Sequence, residues 1–177
     1  MGFPIKFFWF FFLFILYSNL LFGYKLVIDK STLSFKAYQF KRLPTNGSFH
    51  VFNATLNWPD SILVNFEMKS VDTNNKTRDR HLRSPDFLSV NTFPRATFVS
   101  KTIKKETTSK NSYIVSGHFT LKGKTIPVSF PIEAIPSSNS INFKGQTSIN
   151  RFDYGITHYK RTVDKKIDIF IDFLFSK

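Results

Sequence analysis

The chain has 177 residues, room for one ordinary domain and a short extra segment but not for two domains. Hydrophobic residues make up 42% and aromatics 18%, which allows a sizeable core and argues against wholesale disorder. The absence of cysteine removes disulfides, thiolate nucleophiles and cysteine-ligated metals, and a formal charge of +13 favours anionic partners: lipid headgroups, phosphates or nucleic acid.

The opening 23 residues, MGFPIKFFWFFFLFILYSNLLFG, hold eight of the 23 phenylalanines and a single cation, Lys6. A positive start, an apolar run from Phe7 to Leu16, polar Ser18 and Asn19 and then small Gly23 match a secretory signal peptide. The competing reading is an uncleaved anchor over residues 7–22. Those sixteen residues span roughly 24 Å as a helix, short of a bilayer core of about 30 Å. Both readings place the remaining domain, residues 24–177, outside the cytoplasm.

From Tyr24 onward, period-two alternation recurs between turn residues. Leu33, Phe35 and Ala37 alternate with polar neighbours, as do Ile62, Val64, Phe66 and Met68. Further sets are Tyr113 to Leu121, Ile126 to Ala134 and Ile167 to Phe173, with weaker strands at Gly47 to Trp58, Ala96 to Lys104 and Ile141 to Phe152. Breakers at 43–47 (LPTNG), 57–61 (NWPDS), 121–124 (LKGK) and 135–140 (IPSSNS) are read as the connections. The polar block from Asp72 to Thr92 is too interrupted for a long helix, so a short helical or loop insertion is expected around 74–92.

The fold class expected is therefore all-β: an antiparallel eight-stranded barrel, the size at which the interior can hold one small ligand. The inward sets oppose large aromatics to small residues such as Ala37, Gly117 and Gly145. That mixture fits a filled core and a lined slot equally, and periodicity does not choose between them.

Residues 70–100 carry an ordered motif: Ser70, Asp72 and Thr73, then Arg78, Asp79, His81 and Leu82, then Ser84, Asp86 and Phe87, then Pro94, Phe98 and Ser100. Gly117, Thr120, Leu121, Gly123, Pro127 and Val128 form a second motif, Arg151, Asp153 and Gly155 a third, and Gly47, Phe49 and Phe52 a fourth. In order and spacing these resemble the YceI-like family of bacterial exported proteins. The opening departs from the family pattern, because Tyr24, Ile28, Asp29 and Ser31 are present without the usual histidine. The resemblance implies a lipocalin-like barrel, periplasmic or secreted, whose relatives bind long amphiphiles such as polyisoprenoids or fatty-acid derivatives.

Phe35, Phe66, Phe98, Phe119, Phe130 and Phe143 sit on the more apolar parity of their strands, where a core role is the default. With the resemblance, these residues together with Phe49 and Phe87 become candidates for lining a lipid cavity. Arg78, Asp79, His81 and Arg83, joined by Arg151, are candidates for a polar mouth, since the guanidinium fork suits a prenyl pyrophosphate. The structural alternative is a loop clamped by Arg–Asp pairs and capped by Asp72 and Ser84.

No catalytic machinery, cofactor or metal site is expected. His50, His81, His118 and His158 are scattered without a close pair at ligand spacing, and neither a nucleophile elbow nor a phosphate loop is present. Asn46, Asn53 and Asn75 head Asn-x-Ser/Thr triplets, which matter only where the source glycosylates them. The leading expectation is an exported protein that sequesters or carries an amphiphilic lipid such as a polyisoprenoid. Its expected partners are that lipid, an anionic membrane surface and, as an open option, a second copy of the chain. One alternative is an enzyme using Asp79 or His81 on a lipid in the same cavity. Another is a polyanion binder, but the cations are spread along the chain and export removes nucleic acid from reach.

Overall fold

The computed structural model describes residues 23–107 and 109–177, so the leader expected over 1–23 lies, but for Gly23, outside the described residues. The alternating segments become eleven strands. In chain order these are β1 (Tyr24–Leu26), β2 (Thr32–Gln39), β3 (Leu43–Phe49), β4 (Phe52–Asn57), β5 (Ser61–Glu67) and β6 (Val71–Asp72). After the helix α1 (Lys76–Arg83) come β7 (Arg95–Lys105), β8 (Ser112–Leu121), β9 (Lys124–Pro136), β10 (Ser140–Asn150) and β11 (Val163–Ser176).

Every pairing is antiparallel, and the sheet closes because β1 pairs with both β4 and β11. The eleven segments make eight staves. A 3-10 turn at Ile28–Lys30 separates β1 from β2, His50 and Val51 separate β3 from β4, and a 3-10 turn at Met68–Ser70 separates β5 from β6. Each pair is one interrupted stave, and β7 to β11 supply the other five. The closed eight-stranded antiparallel barrel follows from the alternation, since closure leaves one apolar face inside and no long free edge.

One connection moves. Residues 43–47, read as a linker, belong to β3, with Tyr38 opposite Pro44 and Gln39 opposite Leu43. Pro44 is tolerated because β3 pairs with β6 only at Ser48 and Phe49, leaving the rest of that side as an edge. The turn falls instead at residues 40–42. The LKGK signal behaves as read: Lys122 and Gly123 have φ of +50° and +73°, the left-handed pair of a tight hairpin.

The two ends of the barrel differ. At the end holding the 57–61 and 137–139 turns, Leu56, Ile141, Phe143, Phe173 and Phe175 are fully buried, and Trp58 packs edge-on to Tyr113 at 4.8 Å. The other end gathers the β2–β3 turn, the β8–β9 turn, α1 and the 151–162 connection. Filling is incomplete there.

Candidate functional site

At the incompletely filled end an apolar chamber of about 130 Å³ lies under α1. Leu33, Phe35, Ala37, Phe49, Phe66, Leu82, Phe87, Phe119, Ile149 and Ile167 are among its walls. Outward it shares Phe35, Ala37, Leu82, Phe87 and Val163 with an open vestibule of about 740 Å³. Inward it shares Leu33, Phe66, Phe119, Ile149 and Ile169 with a smaller void of about 40 Å³, also lined by Phe98 and Phe130. The three spaces follow one another from the mouth toward the middle of the barrel. Phe66 and Phe119, stacked with ring centroids 6.0 Å apart, stand between chamber and inner void.

Seven of the eight candidate phenylalanines face these spaces: Phe35, Phe49, Phe66, Phe87, Phe98, Phe119 and Phe130. Phe143 does not. It is 1% exposed and packs against Trp58 and Phe175 in the filled end. Alternation separates inside from outside but carries no information about height along the barrel axis. Gly47 makes room for the wall, because a Cβ there would stand 2.3 Å from the Phe35 ring.

The mouth is polar on one side. Arg78, Arg80, His81, Asn75, Thr77 and Tyr159 line the vestibule. Helix α1 is started by Asn75, whose side chain accepts from the Arg78 N–H at 3.0 Å. The expected caps differ accordingly: Asp72 instead accepts from the Asn74 N–H at 2.7 Å, closing an Asx-type turn before the helix, and Ser84 is the residue at the helix C-terminus. Asp72 is held below the usual carboxylate range first by that bond and then by His50.

Asp79 is 5% exposed and does not line the vestibule. Its Oδ1 accepts from the Thr73 N–H at 2.9 Å and the Thr73 hydroxyl at 2.6 Å. Arg78 continues the chain, its Nε donating to Thr73 Oγ1 at 2.7 Å and its Nη2 to the Thr73 carbonyl at 2.8 Å. Arg83 donates to the carbonyls of Lys69 and Val71, pinning α1 to the barrel. Asp79 and Arg83 therefore act as scaffolding. Arg78 divides its donors between scaffold and vestibule, while exposed Arg80 lines the vestibule with no hydrogen bond or ion pair among the described residues.

Arg151 was a headgroup candidate, and its surroundings assign it elsewhere. It is 2% exposed, and each of its five N–H donors has a carbonyl acceptor. Nε donates to Asp164, Nη1 to Ile156 and His158, and Nη2 to Tyr159 and Val163, over 2.6–3.4 Å. Burial pulls its pKa down and Asp164 pushes back, in a group basic enough to stay cationic. With no donor left for a ligand, Arg151 staples the 151–163 connection into the wall of the mouth.

The histidines are less scattered than the sequence indicates. His81 and His158 have ring centroids 5.6 Å apart and form an aromatic cluster with Phe87 and Tyr159. Ligand atoms of His81, His158 and exposed Asp86 all lie within 4.8 Å of one another. Ligands 2.1 Å from a tetrahedral zinc stand roughly 3.4 Å apart, so among the described residues these three are the set that could hold a metal ion once the side chains draw together.

A family model described as the YceI-like domain matches residues 24–175. The chain belongs to the YceI-like family. It is 34% identical over 123 residues to the UPF0312 protein ECA1782 of Pectobacterium atrosepticum, covering 63% of this chain and 62% of that protein, so the match spans less than two thirds of that relative. It is 31% identical over 137 residues to Protein YceI of Salmonella arizonae, covering 71% of this chain and 70% of the relative. Among solved structures, Burkholderia cenocepacia BcnA superposes with a TM-score of 0.78 at 25% identity, over 84% of this chain and 98% of BcnA. A polyisoprenoid binding domain from Saccharophagus degradans gives a TM-score of 0.72 at 14% identity, over 86% and 97% of the two chains, which is a likeness of fold.

In this YceI-like barrel two of the four motif runs fall on the mouth, while Phe52 stacks on Phe173 in the filled end. The Arg78-Asp79-x-His81-Leu82 run is α1, with Leu82 on the chamber side, and Arg151 to Gly155 is the stapled connection. Arg80, His158 and Tyr159 were not singled out as mouth residues from the sequence. Arg80 carried a usable signal as a third arginine among Arg78 and Arg83. His158 and Tyr159 carried none, because 77 residues separate His158 from His81 and only the fold joins them.

Proposed function

We propose that this chain is an exported carrier that sequesters a long amphiphilic lipid, a polyisoprenoid or fatty-acid derivative, with its tail in the chamber and its headgroup in the vestibule. The carrying observation is the chamber itself: apolar walls that open at one end onto arginine and histidine and are closed at the other by packed aromatics. Hydrocarbon burial contributes roughly 0.8 kcal/mol per methylene, so a five-carbon isoprene unit adds about 4 kcal/mol before reorganisation is counted. Export rests on the apolar leader pattern of residues 1–23. The printed name of the Saccharophagus neighbour, a polyisoprenoid binding domain, supports the choice of lipid class.

The reading is binding rather than catalysis. Asp79, the carboxylate an enzyme mechanism would call on, is occupied by two hydrogen bonds from Thr73. The test is uptake of a radiolabelled polyprenol and of its phosphate ester, followed by gel filtration. Both lipids are expected to co-elute with the protein. Arg80→Gln is expected to weaken retention of the phosphate ester about tenfold or more, by loss of a charge-assisted hydrogen bond of roughly 1.5–3 kcal/mol, and to leave the alcohol unchanged. Exclusion of both lipids from the intact barrel would overturn the proposal.

A further inference from the structure

Two turns at the mouth carry the same three-residue pattern. Phe40-Lys41-Arg42 closes the β2–β3 hairpin, and Tyr159-Lys160-Arg161 lies in the connection before β11. The fold makes them neighbours: Gln39 pairs with Val163, and the Phe40 N–H donates to the Thr162 carbonyl at 2.9 Å. Gln39, Tyr159 and Val163 also line the vestibule, so the paired turns form part of its rim.

Phe40 is 60% exposed, Leu43 61% and Tyr159 48%. Phe40, Lys41 and Tyr159 have φ of +49°, +58° and +51°. Glycine and asparagine adopt this left-handed region most readily, and a two-residue hairpin turn ordinarily places them there. Folding alone would therefore favour another residue at 40 and 159, and solubility would not place large apolar side chains in water at either. Both turns are held firmly. The Thr162 and Val163 N–H groups donate to the Tyr159 carbonyl at 3.1 and 2.9 Å, and Arg151 holds the carbonyls of His158 and Tyr159 from below.

Lys41, Arg42, Lys160 and Arg161 are exposed, and none takes part in an ion pair among the described residues. The exposed carboxylate of Asp153, in the same connection, accepts from the Asn150 side chain at 2.9 Å. Aromatic and aliphatic side chains at the level of four cations outside any ion pair among the described residues, of which Lys160 lies 5.9 Å from the Phe152 ring centroid, match the interfacial layer of an anionic bilayer: rings and Leu43 among the upper acyl chains, cations at the phosphates. We propose that this rim docks the protein, mouth down, on an anionic lipid surface, so that Phe40, Leu43 and Tyr159 enter the interface. The purpose of docking, transfer of a lipid without exposing its tail to water, rests on the carrier reading. The binding itself does not.

The absence of cysteine makes a single-site label straightforward. The full-length chain carrying Leu43→Cys with an environment-sensitive fluorophore is added to phosphatidylcholine vesicles with or without phosphatidylglycerol, at low salt. The label is expected to shift to the blue and to be quenched by lipid-borne nitroxide on the anionic vesicles. Neutralising Lys41, Arg42, Lys160 and Arg161 to glutamine in the same chain should reduce this partition about fivefold per cation, several-hundredfold in all. Phe40→Gly suits the left-handed turn, so it should weaken partition without lowering the melting temperature, which separates an interfacial role from a structural one. A label that stays in water on anionic vesicles, or equal partition of the charge-neutralised chain, would overturn the proposal. Uptake of polyprenol from detergent, measured beside it, keeps the two readings apart. Uptake without docking removes only the docking surface, and docking without uptake removes only the carrier.

Discussion

Replacing Arg151 separates a staple from a headgroup ligand. The guanidinium is buried and satisfies five carbonyls drawn from the 156–164 segment. Hydrogen bonds to a charged group contribute roughly 1.5–3 kcal/mol each, but they act as a unit and offset the desolvation of the cation. Lysine keeps the charge yet concentrates its three donors at one point, so at least two of the five carbonyls lose their partner. A net loss of about 3 kcal/mol is expected for Arg151→Lys, which in a domain of this size lowers the melting temperature by about 6–12 °C. The assay is thermal and urea unfolding combined with hydrogen exchange, in which amides of residues 151–163 should lose protection before the strands do. A variant with unchanged melting and unchanged exchange, impaired only in retaining a phosphorylated lipid, would refute the staple and return Arg151 to the headgroup.

Two further changes probe the interior. Phe66→Ala or Phe119→Ala merges the chamber with the inner void. Each should destabilise the empty protein by about 3–5 kcal/mol, with much of that recovered when a long-chain lipid is bound; melting with and without lipid checks it, and equal losses in both states would contradict a tail-filled cavity. The Tyr154 hydroxyl is buried without a hydrogen-bond partner among the described residues, and burial together with Asp153 pushes its pKa up to about 12. The folded state thus favours the neutral phenol, so this contribution is full below pH 10 and is lost as pH rises from 10 to 12, by about 2–3 kcal/mol. Tyr154→Phe should be neutral or slightly stabilising at pH 7 and should remove that extra loss, and parallel stability–pH curves for the two proteins would contradict it.

The sequence was informative wherever one face of a strand decides the outcome. Val115, Gly117, Phe119 and Leu121 alternate in the sequence and are buried in the same alternation, and the barrel follows from repeating that pattern around a closed sheet. Position along the barrel axis was not legible, because Phe119 beside the chamber and Phe143 in the filled end both sit on the inward parity between polar neighbours, with a glycine two residues to one side and an aliphatic residue two to the other. The mouth was legible as a place but not as a division of labour. Arginine at 78, 80, 83 or 151 reads alike in one dimension, whereas the fold gives Arg83 and Arg151 to carbonyls and leaves Arg80 exposed in the vestibule. The pairing of the two aromatic-Lys-Arg turns depends on one inter-strand register, Gln39 opposite Val163, that no local pattern specifies.

Native mass spectrometry of the protein recovered from its own cells without detergent tests the lipid-carrier reading most directly. A single additional mass per chain, matching one long-chain amphiphile and released by organic solvent, is the predicted spectrum. The bare mass of the polypeptide, unchanged after incubation with excess polyprenyl phosphate and fatty acid, would contradict it.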